Sequence, residues 1–143
     1  MHPETGEPHA PKDVTTAISE PLYRSYTSTI DAYNSGNYVA TAVCCRRTLE
    51  GLFQDLLPNN KRVSNLSKAI TEVAESVDFS APIRNLANVL RHGGNLGAHF
   101  DMEKEPDQSM AFQMLTLLEN LIDFLHVLPQ EISNLERLLD KEQ

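Results

Sequence analysis

The chain has 143 residues, 41% of them hydrophobic and 22% charged, which suits one domain with a single apolar core. A net charge of −8 gives no global basic footprint for nucleic acid, so any RNA or DNA contact would need a local basic cluster. No apolar run approaches the roughly 18 residues that cross a bilayer, and no basic-then-apolar leader opens the chain, so a cytoplasmic protein without membrane contact is expected.

Only 6% of residues are aromatic and Trp is absent, which favours helices over sheets. Residues 1–18 hold Pro3, Pro8, Pro11, His2 and His9 and little that could pack. They are expected to form a flexible tail, with residues 19–143 as a single helical-bundle domain. The first helix is predicted over Pro21–Tyr33, with Leu22, Tyr26, Ile30 and Tyr33 at helical spacing and "NSGN" as its stop. The second covers about Tyr38–Leu57, striped by Tyr38, Ala42, Cys45, Leu49, Leu52 and Leu56. Its other flank, Ala40, Cys44, Thr48 and Gly51, is small enough to admit a neighbouring backbone, so this helix is placed at the bundle's centre.

A third helix is predicted over about Asn65–Val77 with Ser64 as its N-cap, and a fourth from near Ser80 that breaks at Gly93-Gly94. The fifth, from about Asp107 to Leu128, has Met110, Met114, Leu117, Leu121, Leu125 and Leu128 as its core stripe. Pro129 then separates a short terminal helix with Ile132, Leu135 and Leu139 on one side. The fold class is all-α, a four- to five-helix bundle with a short C-terminal helix. The adjacent Cys44 and Cys45 rarely bridge and fit no metal spacing, so both are read as reduced thiols.

Several charges stand on apolar edges. Arg46 and Glu50 interrupt the line Val39, Val43, Phe53, and their four-residue separation allows them to pair. Arg47 points away. Arg91 follows the inward Ile83 and Ala87, and Asn95 and His99 succeed it at i+4 and i+8. Arg46, Glu50, Arg91, Asn95 and His99 are therefore candidates to meet in one polar pocket. A His that titrates near neutrality can move protons, and an Arg can hold a phosphate, which together are the parts of a metal-independent ribonuclease. Buried polar networks outnumber catalytic sites, so the structural reading is preferred, with Asn95 and His99 satisfying carbonyls and Arg46–Glu50 a buried pair. His92, His99 and Asp101 have no familiar metal geometry, "RHGGNLG" lacks a P-loop ending, and no cofactor is expected. The Met110–Met114 stripe is read as core, and His126 as a favourable charge near a helix C-terminus.

"CCRRTLEGLF", followed by "LRHGGNLGAH", an acidic loop and a long Leu-rich helix, resembles a branch of the HEPN superfamily. That branch is an uncharacterised domain found beside restriction and phage-defence genes, and the likeness spans about Tyr33 to Pro129. The resemblance implies a dimeric bundle, and in catalytic members an Arg and a His of each protomer cleave RNA without metal. Carried over, His99 moves the proton, Asn95 accompanies it and Arg91 binds phosphate. Catalytic members carry an Arg where this chain has Gly94.

Three functions follow as expectations. One is a dimeric interaction or regulatory module of a defence or stress system, with a protein partner and a polar Arg-Asn-His pocket. The others are a toxin-like endoribonuclease using His99 and Arg91, and a bundle that binds a nucleotide phosphate.

Overall fold

A computed structural model describes residues 8–14, 17–57, 65–76, 81–99 and 104–141. These form six α-helices and no strand: α1 (Glu20–Asn34), α2 (Tyr38–Gln54), α3 (Leu66–Ser76), α4 (Ala81–Ala98), α5 (Gln108–Ile122) and α6 (Leu128–Lys141), with a π turn over Asp123–Val127 between the last two. The all-α bundle is as expected. Side-chain caps define the helix starts, because the first amide hydrogens of a helix lack partners within it. Leu22 donates to Ser19 Oγ, Ala40 to Asn37 Oδ1, Lys68 to Asn65 Oδ1 and Met110 to Asp107 Oδ1. The cap of α3 is thus Asn65, and the expected Ser64 lies outside the described residues. Between α1 and α2, Gly36 takes φ +78°, and the amides of Gly36 and Asn37 reach back to Tyr33 and Ala32. That left-handed position closes the turn at little steric cost to a glycine.

α2 is the central helix, packed against α1, α3, α4 and α5. It buries Ala42, Cys45, Leu49, Leu52 and Phe53, together with Thr41 and Thr48. Its small flank admits α1, where Thr48 Oγ1 lies 2.8 Å from Ser25 Oγ and 3.2 Å from Thr29 Oγ1. The core is completed by Leu22, Tyr26 and Ile30 of α1, Ile70 and Val73 of α3, Ala87 and Leu90 of α4, and the inner face of α5.

Four expectations are corrected. The segment 8–14 is not a tail without packing partners: Val14 and Ile18 belong to the core, and His9 is anchored on the bundle. α4 does not break at Gly93-Gly94 but runs on to Ala98, and the His99 amide still donates to Asn95 at 3.0 Å. The glycines serve close approach instead. A Cβ on Gly94 would stand 2.3 Å from Arg46 Cβ, and one on Gly97 would stand 2.6 Å from Ala42 Cβ. The expected stripe of α5 is buried at Met114, Leu121 and Leu125, but the inner face is wider than expected and takes in Leu115, Leu118, Glu119 and Ile122, while Met110 and Leu117 are half-buried and Leu128 is exposed.

Finally, Pro129 does not end the helix. In a regular ladder it would lack an N–H for Leu125 and its ring would crowd that carbonyl. The π turn just before it widens the coil, and the Leu128 amide bonds to Asp123, five residues back. Gln108–Asp140 is consequently one 33-residue rod, long and apolar enough by composition to cross a membrane, although its first half buries its apolar face in the bundle.

Candidate functional site

α2 and α4 cross so closely that their seam is floored by glycine backbone at Gly94 and Gly97. Each helix lines one side of it with a mixture of polar and apolar residues. From α2 come Val39 and Val43, both exposed, then Arg46 and Glu50, both half-buried. From α4 come Arg91 and Asn95, half-buried, and the exposed His99. Because the helix is unbroken, these three follow one another at i, i+4 and i+8 on one side of it.

The arginines define the site's electrostatics. Arg46 lays its Cβ, Cγ and Cδ against Gly94, one turn from Arg91 on the facing helix. In both side chains Nε is buried and has no hydrogen-bond partner. Buried polar groups are nearly always bonded, so two such donors on one seam call for an acceptor. Neither arginine pairs with a carboxylate among the described residues. The expected Arg46–Glu50 pair is therefore not made.

Nor do the five residues form a bonded cluster. The geometry brings Arg46 and Arg91 to the seam with Glu50 and Asn95 beside them. His99 instead lines a shallow cleft of about 210 Å³ whose other walls include Val39, Leu96, Lys104, Glu105 and Pro106. Asp101, the third residue of the metal pattern weighed from the sequence, lies outside the described residues. Among the described residues no three His, Cys, Asp or Glu side chains gather as a metal site would require.

Sequence reasoning missed a second polar centre. Glu119 is buried on α5, where Tyr26 donates to its Oε2 at 2.5 Å and His9 Nε2 lies 3.0 Å from the same oxygen. The Lys12 amide donates to the Tyr26 hydroxyl at 2.9 Å. Burial, then the adjacent carboxylate, raises the Tyr26 phenol well above its ordinary range. The main chain of His9 is held by Asn34, which accepts from its amide and donates to its carbonyl, each at 2.9 Å. Its ring stands edge-on to Tyr33 and Phe112. One signal was present: Glu119 falls four residues after Leu115 and three before Ile122, on an apolar stripe. Its partners come from a segment with no periodicity to read.

The remaining titratable groups are structural. Cys45 is fully buried, and burial pushes its thiol up to about 12, far from a nucleophile's range. Burial likewise raises Cys44, and both thiols are free. His126 does not sit at a helix end as expected, because the rod continues beyond it; its Nε2 lies 3.3 Å from the Leu52 carbonyl, and burial lowers its pKa.

No curated protein and no solved structure matches the chain. A family model does, over residues 27–139, which takes in α2, α4, the seam between them and nearly all of α6. The chain belongs to the family described as "Domain of unknown function (DUF4145)".

Proposed function

We propose that this protein is a small HEPN-like interaction and regulatory module whose α2/α4 seam receives an anionic group between Arg46 and Arg91. The observation that carries this reading is the pair of buried, unbonded Nε donors on a seam without a paired carboxylate among the described residues. A guanidinium offers a planar fork of donors, and two of them on facing helices suit a phosphate oxygen cluster or a carboxylate. The local pair works against a chain of net charge −8, so the ligand must reach the seam itself. A place in a defence or stress system, working with a protein partner, follows from the resemblance rather than from this geometry.

The seam also bears on catalysis. Catalytic HEPN proteins carry an Arg where Gly94 stands, and here even a Cβ would meet Arg46 Cβ at 2.3 Å. Arg46 occupies the volume such a side chain would need. A non-catalytic module is therefore favoured. The ribonuclease reading keeps one supporting observation, the unbroken α4 that sets Arg91, Asn95 and His99 in one row.

The test is thermal stabilisation by a nucleoside triphosphate, and by a short single-stranded RNA, compared with Arg46→Gln and Arg91→Gln. At a hundredfold excess over Kd, bound ligand stabilises the fold by about 2.7 kcal/mol, and either substitution should remove most of that. No stabilisation by either probe, or stabilisation indifferent to both substitutions, refutes the seam as an anion site. The same RNA incubated in EDTA with wild type and His99→Ala tests the second reading. Cleavage that depends on His99 would replace the module with an enzyme.

A further inference from the structure

α6 stands apart from the bundle. Among the described residues it packs against the preceding π turn and no other element to any extent. Every residue from Leu128 to Asp140 is exposed. Yet it carries a stripe of large apolar side chains, Leu128, Ile132, Leu135, Leu138 and Leu139, continued upstream by Phe124, each between 37% and 61% exposed. A lone helix of 14 residues is marginal in water, and soluble monomers seldom display a contiguous stripe of this size.

The spacing says what covers it. Leu128, Ile132, Leu135 and Leu139 follow one another by four, three and four residues, the seam of a two-helix coiled coil. We propose that α6 pairs with α6 of a second copy of this chain in an antiparallel coiled coil, with Leu128 layered against the partner's Leu139 and Ile132 against the partner's Leu135, each layer formed twice.

Charge selects the direction. In a parallel pair Glu131 would flank the seam beside the partner's Glu136 on both sides, a like-charge contact. Reversing one helix sets Glu131 beside the partner's Leu138 and Glu136 beside the partner's Pro129. It also opposes the helix dipoles and places the two acidic bundles at opposite ends of a rod about 21 Å long, beyond two screening lengths at physiological salt. The open faces of the six side chains amount to about 500 Å² per copy, so pairing removes at most about 1,000 Å², the size of a weak, concentration-dependent interface. α6 sets Glu131, Glu136 and Asp140 against Arg137 and Lys141, so it carries no basic excess that would draw it to an anionic lipid surface as the alternative cover.

The test is sedimentation equilibrium of the whole chain from 1 to 100 μM in physiological salt. A dimer is expected, and Leu135→Glu should weaken it about 100-fold or more by burying a charge in the seam. Because Leu135 is exposed and outside the core, helicity of the bundle should not change. Under mild oxidation, a mixture of Leu128→Cys and Leu139→Cys should cross-link between the two variants, while neither variant cross-links with itself. A monomeric wild type overturns the proposal. So does a dimer that survives Leu135→Glu but is lost on Val43→Glu, which would place the interface on the α2/α4 seam. Self-linking of Leu128→Cys would show the parallel arrangement instead. Flotation of a monomeric chain with phosphatidylserine vesicles, lost on Leu135→Glu, would make the stripe a membrane anchor.

Discussion

Replacing Gly94 by Ala sets two opposing effects against each other. Ala is a better helix former than Gly by about 1 kcal/mol, and position 94 lies well inside α4, so propensity alone argues for stabilisation. Packing argues the other way. The added Cβ would stand 2.3 Å from Arg46 Cβ, 3.0 Å from its Cγ and 3.2 Å from its Cδ. The first of these carbons is fixed to the α2 backbone and cannot swing aside, so the two helices must part by more than about 1 Å to restore van der Waals contact. Overpacking of this sort costs about 1–3 kcal/mol, and separation of the central helix from α4 also loosens the layer around Leu90 and Leu49. A net loss of about 1 kcal/mol is expected, read as a drop in Tm of about 3–5 °C or a lower urea midpoint at unchanged slope. Gly51→Ala is the control. Its Cβ meets only Leu22 Cδ1, at 3.0 Å, and that flexible tip can move, so propensity should win and stability should rise by about 0.5–1 kcal/mol. If Gly94→Ala proved as stable as Gly51→Ala, the seam would be compliant, and the account of Gly94 as a forced close approach would be wrong.

Two more expectations concern the polar groups. Tyr26→Phe removes the bond to Glu119 and the acceptor for the Lys12 amide. It should cost about 1–3 kcal/mol in chemical denaturation and speed amide exchange in residues 8–14, whereas unchanged exchange would mean that Asn34 and the His9–Glu119 contact hold this segment without Tyr26. For His126, burial holds the folded pKa below 6.5, so the unfolded chain binds the proton first as the pH falls. The stability it contributes is therefore complete above pH 6.5 and lost on acidification through the folded pKa. Denaturation midpoints measured between pH 7.5 and 5 should fall less steeply in His126→Gln, and parallel slopes would remove His126 as the cause.

Much of the fold was legible because helix periodicity is local. The stripe of α2 and its small opposite flank place it at the centre, and the structure puts Thr48 against Ser25 and Thr29 just there. What could not be read depended on long-range contacts. Gly93-Gly94 looks like a stop when only propensity is counted, but packing against Arg46 and Ala42 keeps α4 intact through three glycines. Pro129 looks like a terminator for the same reason, and a π turn absorbs it. In the site, helical spacing alone put Arg46 beside Val39 and Val43 and Arg91 one turn beyond Ala87, and both arginines are half-buried. The pairing of Arg46 with Glu50 was inferred from spacing alone, which permits a contact without requiring it. Glu119 was overlooked because a charge on an apolar stripe becomes tolerable only with partners, and His9 lies 110 residues away.

The π turn has a further consequence for how this chain tolerates changes in length. A one-residue insertion in a helix normally rotates everything beyond it by about 100°. Here one turn of wider pitch already shifts the phase between the buried face of α5 and the outward stripe of α6. Deleting a single residue within Asp123–Val127 would remove the wide turn, press the proline ring against the carbonyl four residues before it, and turn the stripe toward a different side of the bundle while its composition stayed the same. Length in this short stretch is thus a steering variable, and variation of one residue there would re-aim the C-terminal helix and repack Leu125 and His126 while leaving the α2/α4 seam as it is.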